Sequence, residues 1–433
     1  MTTRIPVHSF QITNNALKLS SFIAGVGRHH PTRHLSMMST TRTEQLFETS
    51  SRRHENRPTA LLKKFATASS LFSSTRHYST TTDVVDLKYS KFAPPPSQQQ
   101  PQQQPQDQYP PVIFLHGLLG NKRNFASLAS SLSLQLQKPR SIYTLDLRNH
   151  GDNNHDWRLN MSYSDMARDV LAFIDNTIAT QTETNASGGT EQQQQVVVVG
   201  HSMGGKVAQA LALMYPERIA GLVVLDIAPV RYRASGKEGW RTIEEIVHSV
   251  SSINLDSTVD NANGGELGVL QYKTKRDVDM ALQKSTAILQ DPALRAFVLT
   301  NLESVPSSSS SSSPNNNDTE EQSPAALLRW KINWEGIVND IDKIAGFDVH
   351  DIDMDNDNDD AVTTATTNNK PQYKGDVFFI HGGASRFVKM SHLSTISAYF
   401  PNHMLTTIRG SGHWVHAEAP DDTIALLKQY LDR

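Results

Sequence analysis

The sequence predicts an α/β fold: a mostly parallel central sheet with a helical cap inserted between two of its strands. Three observations carry this. Val196-Val-Val-Val-Gly-His-Ser-Met-Gly-Gly205 sets four β-branched residues directly before glycines that surround a serine. Such a run reads as a strand covered on both faces, as parallel strands are. Between 112 and 226 short apolar strands alternate with helical stretches, a pattern made by right-handed crossovers between parallel strands. That rhythm stops at Pro229 and resumes at Asp376-Val-Phe-Phe-Ile380.

Residues 1–82 have the composition of an organellar transit segment. The first acidic residue is Glu44, and Arg4, Lys18, Arg28, Arg33 and Arg42 precede it among many serines and threonines. A secretory signal would instead show a compact apolar centre. Mitochondrion, in the matrix, is the first assignment; a plastid and a plain tail are the alternatives.

The first part of the core is expected over 83–229. Val84–Phe92 supplies an edge strand, and the proline- and glutamine-rich stretch Pro94–Pro111 is a connection. Val112–Leu115 is a buried strand, and Phe125, Leu128 and Leu132 mark one face of a helix over Asn124–Gln137. Ile142–Asp146 is the next strand, and Tyr163–Ile178 an amphipathic helix. Thr180–Gln195 reads as a polar surface expansion. After the valine strand a helix runs from Lys206 to Tyr215, ended by Pro216, and Gly221–Asp226 returns to the sheet.

The cap is expected over 230–374. Its helical stretches are Trp240–Val250, Val278–Leu289 and Asp291–Asn301, the last running on into Leu302-Glu303. A serine run at 307–313 and an Asp/Asn-rich run at 351–360 interrupt it. The second run lacks the regular spacing and glycine turn of a calcium loop and reads as solvated low-complexity sequence. The second part of the core, 375–433, holds Asp376–Ile380, a last strand at Leu405–Ile408, and a terminal helix with Ile424, Leu427 and Leu431 on one face.

Composition narrows the function. A net charge of −3 gives no reason to expect nucleic-acid binding, and the absence of cysteine excludes disulfides, a thiol nucleophile and thiolate metal sites. No stretch approaches the roughly eighteen apolar residues of a membrane span.

Gly200-His-Ser202-Met-Gly204 matches G-x-S-x-G, in which a strained turn lifts a serine hydroxyl out of the end of a sheet. A serine needs a base to take its proton. His413, inside Gly410-Ser-Gly-His413 after the last strand, fits that role; His416 is placed at the site rim, and His201 is structural. The acid must hold the imidazole tautomer. The loop after Ile380, His381-Gly-Gly-Ala-Ser385-Arg-Phe, carries no carboxylate. Asp226 at the preceding strand end is therefore preferred, with Asp348 and Asp376 as alternatives. Backbone N–H groups of Met203 and Leu118 are expected to form an oxyanion hole. Leu118, Leu119 and Met203 are expected to floor an acyl pocket. No residue pattern points to a metal, and acyl transfer to water requires no cofactor. A carboxylate nucleophile for epoxide or dehalogenase chemistry is absent from the elbow.

These residues resemble the alpha/beta-hydrolase domain-containing protein 11 family and the related YbfF-type esterases. The resemblance rests on His116-Gly-Leu-Leu-Gly120 with Asn124-Phe125, Leu145-Asp-Leu-Arg-Asn-His-Gly151, Gly200-His-Ser-Met-Gly-Gly-Lys206, Val224-Leu-Asp-Ile-Ala-Pro229, Leu299-Thr-Asn-Leu302 and Gly412-His-Trp-Val-His416. It covers about 112–431 and implies an α/β-hydrolase fold with Ser202, Asp226 and His413 as triad. It also implies mitochondrial hydrolysis of short acyl esters, thioesters or glycerolipids. The branch is similar to yeast alcohol acetyltransferases, for which acyl-CoA is a substrate, so transfer to an alcohol is the alternative. A link of the animal members to a 2-oxoacid dehydrogenase complex implies a protein-protective or scaffold role as a further one.

Overall fold

The alternation read from the sequence appears as a seven-stranded sheet. The structure, a computed structural model, describes residues 84–95, 109–179, 193–232, 239–255, 258–259, 269–305, 327–347 and 371–433. The transit segment, the serine run, the Asp/Asn-rich run, most of the 180–195 expansion and Asp348 lie outside the described residues.

The first strands are β1 (Tyr89–Phe92), β2 (Val112–Leu115) and β3 (Ile142–Leu145), with helix α1 (Ala126–Gln135) between the last two. Helix α2 (Tyr163–Phe173) leads to the valine strand β4 (Val196–His201), helix α3 (Met203–Met214) and strand β5 (Ile219–Leu225). The cap holds α4 (Trp240–Ser251), a short strand pair β6 (Thr258–Val259) and β7 (Val269–Leu270), then α5 (Lys275–Ser285) and α6 (Pro292–Leu299). A hairpin of β8 (Leu302–Val305) and β9 (Leu327–Trp330) follows, and then α7 (Trp334–Asn339) and α8 (Ile341–Ala345). The sheet resumes with β10 (Val377–Gly382), α9 (Leu393–Tyr399), β11 (His403–Ile408), α10 (Val415–Glu418) and α11 (Pro420–Leu431).

Sheet order is β1-β3-β2-β4-β5-β10-β11. Only β1 runs antiparallel, at the edge. Because side chains alternate along a strand, consecutive valines of β4 serve different layers. Val196 and Val198 join the core under α2, α3 and the cap, whereas Val197 and Val199 join the core under α1 and α11. The same alternation divides Ile113 and Leu115 from Val112 and Phe114. The expected helix face Phe125, Leu128 and Leu132 is buried on the second side, where it meets Leu427 and Leu431 of α11.

Three expectations change in the cap and before it. The helix ending at Leu299 does not include Leu302-Glu303; those residues pair with Trp330 and Arg329 in the hairpin. Their partners lie beyond the serine run, so no local period shows the pairing. The stretch Val278–Leu289 is broken: α5 stops at Ser285, Thr286 is extended, and Leu289 belongs to a separate single turn. The helix after the serine begins at Met203, earlier than Lys206, because its first turn is the glycine pair itself.

One buried ion pair fixes the loop after β3. Arg148 grips Asp169 of α2 with Nε on Oδ2 at 2.6 Å and Nη2 on Oδ1 at 2.8 Å, and both side chains are enclosed. Asp169 also accepts the Val85 N–H at 2.8 Å, which pins the chain before β1. Removing one partner strands the other charge away from water. Asp169→Ala is expected to cost about 3–5 kcal/mol, measured as a lower urea midpoint, far more than the same change at exposed Asp86.

Candidate active site

The parallel ladder continues past the ends of the strands and delivers the polar residues to one edge. Ser202 N–H donates to Leu225 C=O at 3.1 Å, and Asp226 N–H donates to Ile380 C=O at 2.9 Å. Both residues sit at positive φ, 51° for Ser202 and 53° for Asp226. Conformations of this kind persist only when the surroundings impose them. At the serine turn the glycines make that possible: a Cβ on Gly200 would run into the Gly204 backbone, and one on Gly204 into the Leu115 and His116 carbonyls.

At that edge His413 lies between the two. Its Nε2 is 3.0 Å from Ser202 Oγ and its Nδ1 is 2.7 Å from Asp226 Oδ2. A carboxylate only accepts, so Nδ1 carries the proton and Nε2 is left to accept from the serine hydroxyl. Asp226 is almost fully buried at 1% exposure. It also accepts the Gly382 N–H at 3.0 Å and a short hydrogen bond from the Ser385 hydroxyl. The loop after Ile380, which offers no carboxylate, thus supplies two donors to the one next door. The weaker alternative Asp376 lies before β10, where its carbonyl accepts from Leu222 N–H and its carboxylate faces Arg433.

The His413 ring and its loop are held from several sides. Phe387 stacks on the His413 ring at 4.1 Å, and the Phe387 carbonyl accepts from Tyr232 OH at 2.6 Å. His201 Nε2 donates to the His413 carbonyl at 2.9 Å, and burial with neighbouring imidazoles pushes the His201 ring well below its ordinary pKa. Glu418 accepts the Gly412 and Trp414 N–H groups on either side of His413, the second at 3.2 Å. His416 packs against Phe125, tilted by 35° with ring centres 4.6 Å apart, and is driven down to about 3 by burial and by His413.

Ser202, Met203, Leu118, His413 and His416 all border one cavity of about 330 Å³. Phe125, Tyr163, Ile227, Trp240, Ile243, Phe297, Phe387 and Trp414 give it apolar walls. The expectation for Leu119 is corrected: its side chain is buried in the core and does not line the cavity. The reason is its backbone, at φ 63°, which turns the side chain inward beneath the Gly117–Gly120 turn. Lys206, on α3, also borders the cavity, but its ammonium is spent on the Ala345 and Gly346 carbonyls at 2.9 and 2.6 Å and lies 4.7 Å from the Tyr232 ring centre. Ser385, Phe387 and Tyr232 escape sequence reasoning, because each acts through a partner distant in the chain; Glu418 escapes it although its partners Gly412 and Trp414 are only six and four residues away. Among the described residues no group of three or more His, Asp or Glu side chains could hold a metal ion, and no helix is long and apolar enough to cross a membrane.

The profile of the alpha/beta hydrolase family matches residues 112–426. The sn-1-specific diacylglycerol lipase ABHD11 of Mus musculus is 27% identical over 322 residues, 74% of this chain and 81% of that one. A protein of Saccharomyces cerevisiae named probable alcohol acetyltransferase is 30% identical over 326 residues, 75% of this chain and 78% of its own. Among solved structures, a marine microorganism esterase superposes with a TM-score of 0.55 at 25% identity, covering 80% of this chain and 100% of that one.

Two enclosed histidines make stability depend on pH. His116 Nε2 accepts the Leu147 N–H at 2.9 Å and His150 Nε2 accepts the Leu119 N–H at 3.3 Å, so both rings are neutral in the fold. Burial, the larger cause in each, holds His116 down at about 4 and His150 at about 3, against 6.5 when unfolded. The unfolded chain therefore binds the extra protons first. Stability is full above pH 6.5 and declines as pH falls toward 4. Each ring contributes about 1.4 kcal/mol of loss by pH 5.5. Urea unfolding at pH 7.5 and 5.5 should show this decline, and His150→Gln should reduce it by about 1.4 kcal/mol, one ring's share.

Proposed function

The chain belongs to the alpha/beta hydrolase family and is an ester hydrolase of the serine type, and from that premise we propose that Ser202 is its nucleophile, His413 its base and Asp226 its acid. The observation that carries this reading is the continuous chain from Ser202 Oγ through His413 to Asp226, at 3.0 and 2.7 Å, opening on an apolar cavity.

His413 Nε2 takes the Ser202 proton as Oγ forms a bond to the acyl carbon. The carbonyl π pair moves to oxygen, giving a tetrahedral oxyanion. The N–H groups of Met203, in the first turn of α3, and Leu118 receive it. As the electron pair returns, the bond to the leaving alcohol or thiol breaks, and His413 hands it the proton. Water, deprotonated by His413, then attacks the acyl-serine, and the same steps release free acid and Ser202. Asp226 stays ionised throughout and stabilises the imidazolium. Its Ser385 and Gly382 donors keep its oxygens aimed at Nδ1.

The apolar walls favour a neutral acyl ester or thioester, and among the described residues the only ammonium in the lining, that of Lys206, is already engaged by carbonyls. A cavity of about 330 Å³ suits short and medium acyl groups. Glycerolipids are the larger class suggested by the mouse relative. The yeast relative favours a second reading, in which an alcohol replaces water in the second half-reaction. We further propose a mitochondrial destination, supported by the acid-free, arginine-bearing stretch before Glu44.

Intact-mass analysis with a panel of acyl esters, with and without added alcohol, tests this. An acyl adduct that decays to free acid and disappears in Ser202→Ala is the expected outcome; a new ester formed in preference to acid would assign transfer. An adduct surviving in Ser202→Ala would sink the nucleophile assignment. Leu118→Pro deletes one proposed oxyanion donor and should lower kcat about 10²–10³-fold with the melting temperature as folding control.

A further inference from the structure

The motif Leu299-Thr-Asn-Leu302 takes no part in the steps above, yet it sends one side chain from the cap into the core. Asn301 is 1% exposed, and its Nδ2 donates to the Leu119 carbonyl at 2.8 Å and to the Val298 carbonyl at 3.4 Å. Two carbonyls on one atom fix which end of the amide is nitrogen. On the other side of the same residue, Leu119 N–H donates to His150 Nε2 at 3.3 Å. Both backbone polar groups of Leu119 are thus held by side chains, one from the cap and one from the loop after β3.

Leu119 needs holding. Its φ is 63°, a left-handed conformation that a leucine seldom adopts without external support. It sits inside the turn closed by Gly120 N–H on the Gly117 carbonyl at 2.9 Å. The residue before it is Leu118, whose N–H faces the reacting carbonyl oxygen in the mechanism proposed here. A rotation at Leu119 therefore changes the aim of that N–H.

Asn301 is itself anchored. Its N–H donates to Val298 C=O at 3.1 Å, and its C=O accepts Lys331 N–H at 2.7 Å. Lys331 pairs with Asp152, which shares Lys122 with the buried Asp146. The base of the cap hairpin is tied in this way to the same loop that carries His150.

We propose that Asn301 is a positioning residue, which through Leu119 holds the turn presenting the Leu118 N–H, so that the oxyanion hole is complete only when the cap is seated. The inference rests on Leu118 being an oxyanion donor. It makes the cap part of the catalytic machinery as well as the wall of the cavity. Substrate entry that lifts the cap would disarm the site, and closure over substrate would restore it.

The test compares Asn301→Leu, Asn301→Ser and Asn301→Gln in the full chain, with p-nitrophenyl acetate as substrate and a short alkyl trifluoromethyl ketone as inhibitor. Ser202 adds to the ketone and places a charged oxygen where the oxyanion forms. Asn301→Leu should lower kcat about 10- to 100-fold, the range a roughly 1 Å misplacement produces, with KM changed less than about twofold. Ketone affinity should fall in parallel across the three variants, and Asn301→Gln, which keeps an amide, should recover part of both. If Asn301→Leu does not fold, Asn301→Ser carries the comparison. A variant that melts earlier but keeps full kcat and full ketone affinity would overturn the proposal. Leu118→Pro separates the two readings. Full kcat in that variant refutes the donor assignment; a loss there with intact Asn301 variants leaves the donor and refutes the clamp.

Discussion

The hydrogen-bond ladder of the parallel sheet is the constraint on which the rest depends. Parallel strands bond evenly and end together, so residues just past their ends fall side by side. Here the ladder is extended by one bond at two places, from Ser202 to Leu225 and from Asp226 to Ile380. Ser202 and Asp226, the proposed nucleophile and acid, are thereby fixed to adjacent strand ends. His413 arrives on the loop after β11, and its ring closes the remaining gap of two hydrogen bonds. The positive φ of both elbow residues is strain that the ladder sustains.

Most of this framework was legible in the sequence because it is written locally. Four consecutive valines needed cover on both faces, and the sheet divides them two and two between its layers. The pentapeptide around Ser202 could be read because its glycines answer a short-range steric demand. The preference for Asp226 came from the missing carboxylate after Ile380, and the structure brings Asp226 beside His413. What could not be read depends on distant pairing. The β8–β9 hairpin joins segments on either side of the serine run, and no window of sequence contains both. Ser385 reaches Asp226, and Phe387 reaches His413, from elsewhere in the chain. Leu119 failed as a pocket residue because one backbone angle, invisible in composition, turned it inward.

The cavity gathers several imidazoles, and burial keeps the accessory ones neutral. His201 and His416 flank His413 and are both pushed down by it and by their surroundings. A charged neighbour would repel the imidazolium that the proposed mechanism forms at His413. Neutral rings avoid that repulsion while still supplying the hydrogen bond from His201 to the His413 carbonyl. Lys206 is treated alike: two carbonyls and a tyrosine face absorb its charge, so the wall behaves as a polarised but largely apolar surface.

The order of these groups along the chain has a consequence for biosynthesis. Ser202 and Asp226 leave the ribosome early, whereas His413 follows Asp226 by 187 residues. Everything in the cap is translated in between. A serine hydroxyl without its base is a poor nucleophile, so under the proposed roles a chain that stops before His413 carries Ser202 in an inert form. Under the proposed roles, acyl chemistry begins only when β11 docks against β10 and brings the imidazole with it. The late arrival of His413 would then guard the proposed site against premature reaction.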